Sequence, residues 1–196
     1  MRHSSLLVLV ASVVTGVLAW LPVDRDLAAF NRSSSGAHDR RVPGPPSGKI
    51  RGVNLGGWLV SEPWMMEAEW GRTGCSKDHC SEFDCVSAVG QEAADSNFDG
   101  HYERWITPTD IQNIRNAGLN TIRIPIGYWS LRELVDDSEH FPRMDLSHLD
   151  RVVEKAAELG MFIVMDLHGA PGAQKVKDAF TGQVSTTINP TITALP

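Results

Sequence analysis

Two short apolar segments constrain the fold of this chain most strongly. They are residues 120–129, NTIRIPIGYW, and residues 161–172, MFIVMDLHGAPG, and each brings polar side chains to a Gly- or Pro-containing turn. Continuous apolar runs are typical of parallel strands that are buried on both faces. Arg123, Asp166 and His168 are costly in such strands unless they have partners or lie at a solvated strand end. The pattern therefore predicts a polar cluster at the carboxyl edge of a parallel sheet.

Helices are expected between the strands. The pattern predicts strands over residues 49–55, 121–126 and 161–167 and helices over residues 108–117 and 146–159. Thr107 supplies an N-cap, Pro108 occupies the first helical position, and Gly160 follows the second helix. Strand, helix and strand joined by short turns are typical of right-handed βαβ units. The segment between the first strand and the first helix is expected to be irregular.

The N-terminal region is expected to lie outside the folded domain. Residues 1–19 fit a signal peptide, because their apolar run is shorter than the about 20 residues that span a bilayer. A membrane anchor is the alternative. Residues 20–48 are polar and turn-rich, which indicates a propeptide or linker, with Arg40 and Arg41 as a candidate cleavage site. Asn31 begins a glycosylation sequon. We expect a protein that is secreted to the extracellular space or cell wall, without stable membrane insertion.

Three cysteines lie close together in the chain. Cys75, Cys80 and Cys85 share one loop, and an oxidising compartment favours one local disulfide with one cysteine left over. The pairing stays open. Zinc is the rival interpretation, but His79 alone does not complete a metal-ligand spacing.

Charge argues against one class of partner. The 196 residues carry a formal net charge of -6 and no block rich in Lys and Arg. A nucleic-acid partner is therefore not expected.

Three motifs occur in order along the chain. They are RGVNLGGWLV with EPW over residues 51–64, GLNTIRIPIGYW over 118–129, and DLHGAPG over 166–172. Together they resemble the fungal secreted β-glucanases of glycoside hydrolase family 5. The likeness covers residues 50–183 and corresponds to the N-terminal part of the family's barrel. Two further segments, SEFDC and DAFTGQ, look more like the endo-β-1,6-glucanase branch than the exo-β-1,3-glucanase branch.

The resemblance implies an α/β fold of the (β/α)8 TIM barrel type. A closed barrel typically needs about 250 residues. Residues 49–183 are therefore expected to form an incomplete barrel of about three βα units. Residues 184–196 are uncharged and aperiodic, and we expect this tail to diverge from the family.

The resemblance also implies hydrolysis of β-glucan by a retaining mechanism. One glutamate donates a proton and a second attacks the anomeric carbon, with the carboxyl groups about 5 to 5.5 Å apart. In the family these glutamates follow the fourth and seventh strands, so this chain is expected to lack both and to be inactive alone. No metal or organic cofactor is required. The alternatives are a non-catalytic glucan-binding relict and an unstable truncated product with an exposed sheet edge.

Three residues match supporting positions of the family. Arg123 is expected to orient the nucleophilic carboxylate, since a guanidinium offers a fork of donors. His168 is expected to contact substrate hydroxyls or a catalytic carboxylate. Glu62 matches a position that accepts hydrogen bonds from sugar hydroxyls. We assign Glu62 no role as the catalytic acid.

The aromatic residues near these motifs divide into two groups. Tyr128 and Trp129 either line the sugar cleft or pack between loop and barrel, since aromatic rings serve both purposes. Trp58 and Trp64 are interpreted as structural. Asp166 is interpreted as a buried hydrogen-bond partner within the barrel mouth and not as a chemical participant.

Overall fold

The computed structural model describes residues 45–172, 175 and 177–184. The predicted signal peptide, most of the predicted linker, the sequon at Asn31 and the tail after residue 184 lie outside these residues.

A parallel sheet forms the centre of the described region. Its strands are β1 (Gly52–Asn54), β2 (Thr121–Gly127) and β3 (Phe162–Gly169), in the order β1-β2-β3. Both pairs are parallel. The predicted order and direction are confirmed. The strand ends differ, because β1 is shorter than its apolar pattern and β3 continues to its glycine.

Five helices occur among the described residues. They are α1 (Glu67–Arg72), α2 (Glu82–Val89), α3 (Gln91–Trp105), α4 (Pro108–Asn116) and α5 (Ser147–Glu158). Short 3₁₀ turns follow β2 and β3, at Tyr128–Ser130, Arg132–Leu134 and Ala179–Thr181. No helix of the described residues is long and apolar enough to cross a membrane.

The cap predicted for α4 is present. The Thr107 hydroxyl accepts the N–H of Asp110, and the Asp110 carboxylate accepts the N–H of Thr107, which forms a reciprocal capping box. The expectation of an irregular segment before this helix was wrong, because α1, α2 and α3 occupy most of it. The helix α3 has no side-chain cap and contains an internal glycine, so its local signal is weak.

The larger core lies between the sheet and the helices. Members without measurable exposure include Trp58, Ala94, Phe98, Ile111, Ile122, Ile124, Val152, Ala156 and Met161. A second, smaller cluster joins Val60, Tyr128, Trp129 and Phe141 beyond the strand ends. The side chains of β2 therefore lie at the centre of the packing.

The strand β3 differs from β2 in its exposure. Among the described residues β3 pairs only with β2, and Val164, Met165 and Leu167 are 38%, 45% and 51% exposed. The expectation of burial on both faces is met by β2 and was wrong for β3. An apolar strand with one open edge is consistent with an incomplete barrel.

Candidate active site

The strand register brings four polar side chains to one face of the sheet. Asn54 of β1 pairs with Arg123 of β2, which pairs with Val164 of β3. Because side chains alternate along a strand, Asp166 and His168 share the face of Val164. The opposite face of β2 carries the buried isoleucines of the main core. The polar side chains are therefore separated from the helical layer by the sheet itself.

These four residues, Asn54, Arg123, Asp166 and His168, form what we call the edge cluster. The Arg123 guanidinium donates to Asn54 Oδ1 and to Asp166 Oδ2, each at 2.6 Å. His168 Nδ1 lies 2.8 Å from the same Asp166 oxygen and 3.3 Å from Arg123 Nη2. Asp166 is thus the hydrogen-bond partner that holds the arginine and the imidazole together, in agreement with its interpretation from the sequence, but its side chain is 28% exposed and not buried.

Glu62 lies beside the edge cluster in the loop after β1. Its Oε1 accepts the N–H of Gly57 at 3.3 Å. A Cβ on Gly56 would lie 2.9 Å from the same oxygen and 3.2 Å from Asn54 Nδ2. A side chain at position 56 would therefore displace the carboxylate. The glycine allows Glu62 and Asn54 to approach the same point.

A row of aromatic rings, of which Trp64 is the exposed member, continues from His168. The Phe180 ring lies 5.4 Å from the His168 ring and 6.3 Å from the Trp64 ring, measured between centroids. Lys175 Nζ lies 5.5 Å from the centre of Phe180. Trp64 is 64% exposed and, together with Trp70, lines an open cleft of about 520 Å³. This volume is typical of small-ligand sites.

The structural interpretation of the two tryptophans therefore has two outcomes. Trp58 is fully buried and its indole N–H donates to the carbonyl of Tyr102, which confirms a structural role. The same interpretation was wrong for Trp64, because its ring lies on the surface of the cleft. A Gly-, Pro- and Trp-rich loop gives no periodicity from which its exposure is predictable.

Tyr128 and Trp129 are both buried in the smaller cluster. The Tyr128 hydroxyl donates to Glu139, and Trp129 stacks on Phe141 with ring centroids 4.6 Å apart. Of the two alternatives considered for this pair, the structure favours packing over a lining of the sugar cleft. The expectation that the pair binds substrate finds no exposed ring surface to support it.

The cysteine loop contains one disulfide. It joins Cys75 to Cys85, which confirms the expectation of a single local bridge and supplies the pairing. Cys80 is exposed and has no disulfide partner among the described residues. His79 Nδ1 accepts the N–H of Ser76 at 3.1 Å, as a residue of a tight loop does.

Sequence reasoning missed a second set of charged residues, which we call the buried network. Glu69 of α1 forms ion pairs with Arg104 of α3 at 2.6 Å and with Arg72 at 3.0 Å. His101 Nδ1 lies 3.3 Å from Glu69, and its Nε2 lies 3.0 Å from the carbonyl oxygen of Trp58. The network fixes the first residues after β1 to the helices. The only sequence signal for the network is the spacing of a His and an Arg three positions apart. This spacing places both on one side of α3 only if α3 is known to be a helix.

Different interactions shift the pKa values of the two buried titratable groups of this network, Glu69 and His101. Burial tends to raise the pKa of Glu69, but hydrogen bonds from Arg104, Arg72 and His101 outweigh it and leave this pKa below its usual value. Burial lowers the pKa of His101, although the nearby carbonyl of Trp58 and the Glu69 carboxylate oppose the effect. The glutamate is therefore held as the anion.

A family model described as "Cellulase (glycosyl hydrolase family 5)" matches residues 86–192 of the chain. The chain belongs to glycosyl hydrolase family 5. The match includes β2, β3 and most of the edge cluster. The described sheet and helices are thus part of the (β/α)8 barrel of this family.

Curated relatives within family 5 are fungal glucosidases. The chain is 51% identical over 174 residues to "Glucan endo-1,6-beta-glucosidase B" of Emericella nidulans, covering 85% of this chain and 42% of that one. It is 40% identical over 126 residues to "Glucan 1,3-beta-glucosidase" of Blumeria graminis, covering 64% of this chain and 29% of that one. The chain therefore spans less than half the length of these relatives.

Solved structures share the fold of this family 5 chain. The rutinosidase from Aspergillus niger superposes with a TM-score of 0.59 at 24% identity, over 74% of this chain and 38% of that one. The structure titled "AoRut" superposes with a TM-score of 0.56 at 25% identity, over 71% and 37% of the two chains.

Proposed function

We propose that the protein represented by this chain hydrolyses β-glucan by a retaining mechanism with two glutamates, and that the residues at the strand ends hold the sugar and orient those glutamates. The observation that carries the proposal is the edge cluster with Glu62 beside it. Asn54 ends β1, Arg123 lies within β2, and Asp166 and His168 lie in the second half of β3, all on one face of the sheet. Barrel enzymes of this type place their catalytic residues towards the carboxyl ends of the strands.

Arg123 is suited to orient a carboxylate. Its guanidinium carries five N–H donors, and its contacts with Asn54 and Asp166 fix the direction of the fork. Within the described residues these contacts leave further donors for a second carboxylate. A nucleophilic glutamate placed there is held as the anion, because a neighbouring positive charge favours ionisation. Arg123 therefore supports the nucleophile without taking part in bond formation.

His168 is suited to contact a hydroxyl or a carboxyl group. Asp166 Oδ2 lies 2.8 Å from its Nδ1, which fixes the orientation of the ring. Phe180 packs against the same ring from the loop after β3. An imidazole that is contacted by Asp166 and Phe180 keeps one orientation, which is what recognition of a sugar hydroxyl requires.

Sugar contacts are assigned to Glu62, Trp64 and Phe180. The carboxylate of Glu62 is an acceptor for sugar hydroxyls, as the family resemblance implies. The rings of Trp64 and Phe180 offer apolar faces to the CH groups of a pyranose. The contact between these two rings extends the site from the edge cluster to the open cleft.

A β-1,6-glucan is the substrate that the comparisons support best. Similarity to the relative named for endo-1,6 cleavage covers more of this chain, at higher identity, than similarity to the relative named for 1,3 cleavage. A secreted protein is supported by the signal-like N-terminus and by the disulfide between Cys75 and Cys85, since disulfides persist in oxidising compartments. The proposed chemistry uses carboxylates and needs no metal ion.

The test is a binding and turnover assay on the purified 196-residue chain. Binding to linear β-1,6-glucan, β-1,3-glucan and cellulose is measured by affinity electrophoresis, and turnover by reducing-sugar release. We expect tightest binding to β-1,6-glucan and no release. The proposal is contradicted if the chain binds neither β-1,6-glucan nor β-1,3-glucan. Release of reducing sugar by this chain contradicts the assignment of both glutamates to other strands.

Substitution sharpens this test. Glu62→Gln removes the charged acceptor and is expected to weaken glucan binding about tenfold, because a hydrogen bond to a charged group contributes about 1.5–3 kcal/mol. Glu92→Gln is the matched control, since Glu92 is an exposed glutamate on α3. Equal affinities of the two variants exclude Glu62 from the sugar site.

A further inference from the structure

A fully buried glutamate lies at the start of α2, away from the edge cluster. Glu82 is 1% exposed, and its Oε1 accepts the backbone N–H of Ser61 at 2.8 Å. Among the described residues, three buried polar atoms have no partner at hydrogen-bond distance and angle. They are Glu82 Oε2, Ser61 Oγ and Trp129 Nε1. The Ser61 hydroxyl and the Trp129 indole are polar groups that lower the pKa of Glu82 against the effect of its burial. The buried polar groups of Glu82, Ser61 and Trp129 therefore lie in one region of the interior.

This place joins the loops that follow all three strands. Ser61 belongs to the loop after β1 and immediately precedes Glu62. Trp129 follows β2, and its ring lies against Gly169 and Gly182, where an added Cβ would approach within 2.3 and 2.2 Å. The backbone N–H of Phe83, next to Glu82, donates to the carbonyl of Gly182 at 3.1 Å. The first turn of α2 thus contacts each strand-end loop.

The first turn of α2 is itself firmly held. Cys85 lies in this turn and is joined to Cys75 by the disulfide. The Ser81 hydroxyl caps the helix by accepting the N–H of Asp84 at 3.3 Å. A carboxylate at a helix N-terminus also interacts favourably with the helix dipole. Glu82 therefore lies on a helix turn that is held in position, and its contacts restrain the loops.

We propose that Glu82 is a positioning residue, whose buried carboxyl group fixes the loop that carries Glu62 relative to the ends of β2 and β3. The inference rests on the proposed function for the role of Glu62, and on geometry alone for the link between the loops. Glu82 touches no solvent-exposed surface, so it acts through its neighbours and not on the sugar.

The link depends on the charge of the carboxyl group. Burial raises the pKa of Glu82 to about 7, against the opposing effect of the polar groups of Ser61 and Trp129. Ser61 and Trp129, the neighbours from the loops, carry no charge. Tyr102 faces Glu82 from α3, and its own pKa is raised well above 10, so it stays neutral across the range in question. The anion accepts the backbone N–H of Ser61, and protonation of the carboxyl group weakens this hydrogen bond.

The experiment is a titration of the full chain by ¹⁵N nuclear magnetic resonance between about pH 5 and 9. The indole N–H signal of Trp129 is identified with Trp129→Phe. We expect this signal and the amide signal of Gly57, which donates to Glu62, to shift with one shared midpoint near 7. The shifts are expected to disappear in Glu82→Gln and to remain in Glu92→Gln. A purely structural glutamate would not couple Gly57 to Trp129.

Several outcomes overturn the proposal. They are a Gly57 signal that does not follow Trp129, shifts that persist in Glu82→Gln, and no titration at either site. If Glu82→Gln fails to fold, the shared or separate midpoints of the unmodified chain still decide the question.

Glucan binding gives an independent measurement. In the unmodified chain we expect about fivefold tighter binding at pH 8.5 than at pH 5.5, and no such change in Glu82→Gln. Affinity that is independent of pH in a chain that binds glucan overturns the proposal. A chain that binds no glucan refutes the proposed function, while a shared titration of Trp129 and Gly57 still supports the link between the loops.

Discussion

The edge cluster and the buried network contain the same kinds of side chain in two different settings. In each, one carboxylate lies 2.6 Å from an arginine and close to a histidine, through Asp166 in the first and Glu69 in the second. The side chains of Asp166 and His168 are both 28% exposed, whereas Glu69 and His101 are 4% and 0% exposed. Residue type alone therefore does not distinguish a binding site from a structural ion pair.

The difference lies in the elements that supply the groups. The buried network joins α1 to α3 and ends on the backbone carbonyl of Trp58, so its hydrogen bonds are directed at protein atoms. The edge cluster is supplied by one face of three neighbouring strands, and its charged side chains stay partly accessible to solvent. A buried charge requires its partners for stability, whereas an accessible one can exchange water for a ligand. Position on the sheet face opposite the helices is the informative property.

The largest effect is expected from Glu69→Gln in the buried network. The substitution removes the carboxylate that pairs with Arg104 and faces His101, and leaves a buried imidazole without its charged partner. We expect a loss of about 2–3 kcal/mol in the free energy of unfolding, measured with urea. Glu67→Gln on the exposed side of the same helix is the control, expected within about 0.5 kcal/mol. Equal losses would show that the network is not structural.

Gly169→Ala tests the packing beneath the edge cluster. An added Cβ at Gly169 would lie 2.3 Å from the ring of Trp129, which is stacked on Phe141 and has little room to move. We expect a loss of about 1–3 kcal/mol in the free energy of unfolding, as for other overpacked sites. Unchanged stability in urea would indicate that the ring of Trp129 relaxes freely, and would weaken the proposed link through Glu82.

The edge cluster was largely predictable from the sequence, and the buried network was not. Arg123, Asp166 and His168 are polar residues within apolar runs, and the parallel pairing of the strands brings them to one face of the sheet. The cap of α4 was predictable because its signal lies within four residues. The contact between Glu69 and His101 joins residues 32 positions apart, and no local pattern announces it.

The same reasoning explains the errors at Trp64 and β3. A tryptophan is expected inside a protein by composition, but its exposure depends on which loops close over it. The apolar pattern of β3 indicated burial on both faces, yet Met165 and Leu167 are exposed because β3 has one paired neighbour among the described residues. A pattern predicts the surface that a strand is built to bury. It does not show what covers that surface.

Asp166→Asn is the counterpart of Glu69→Gln in the edge cluster. The side chains of Asp166 and Arg123 are partly exposed, so we expect less than about 1 kcal/mol of lost stability. The amide holds Arg123 and His168 less firmly, and we expect about tenfold weaker binding of β-1,6-glucan in affinity electrophoresis. A loss of stability equal to that of Glu69→Gln, with glucan affinity retained, would reverse the roles assigned to the two regions.

The smallest effect is expected from Gly71→Ala, in the helix that carries Glu69. An added Cβ at Gly71 meets no atom within 4 Å, so the methyl group costs no packing. Alanine also restricts the unfolded chain, and we expect a gain of about 0.5–1 kcal/mol in urea unfolding. The same substitution therefore has opposite signs at Gly71 and Gly169. Losses at both positions would show that α1 depends on the flexibility of its glycine, and that the rigidity assigned to the buried network is incorrect.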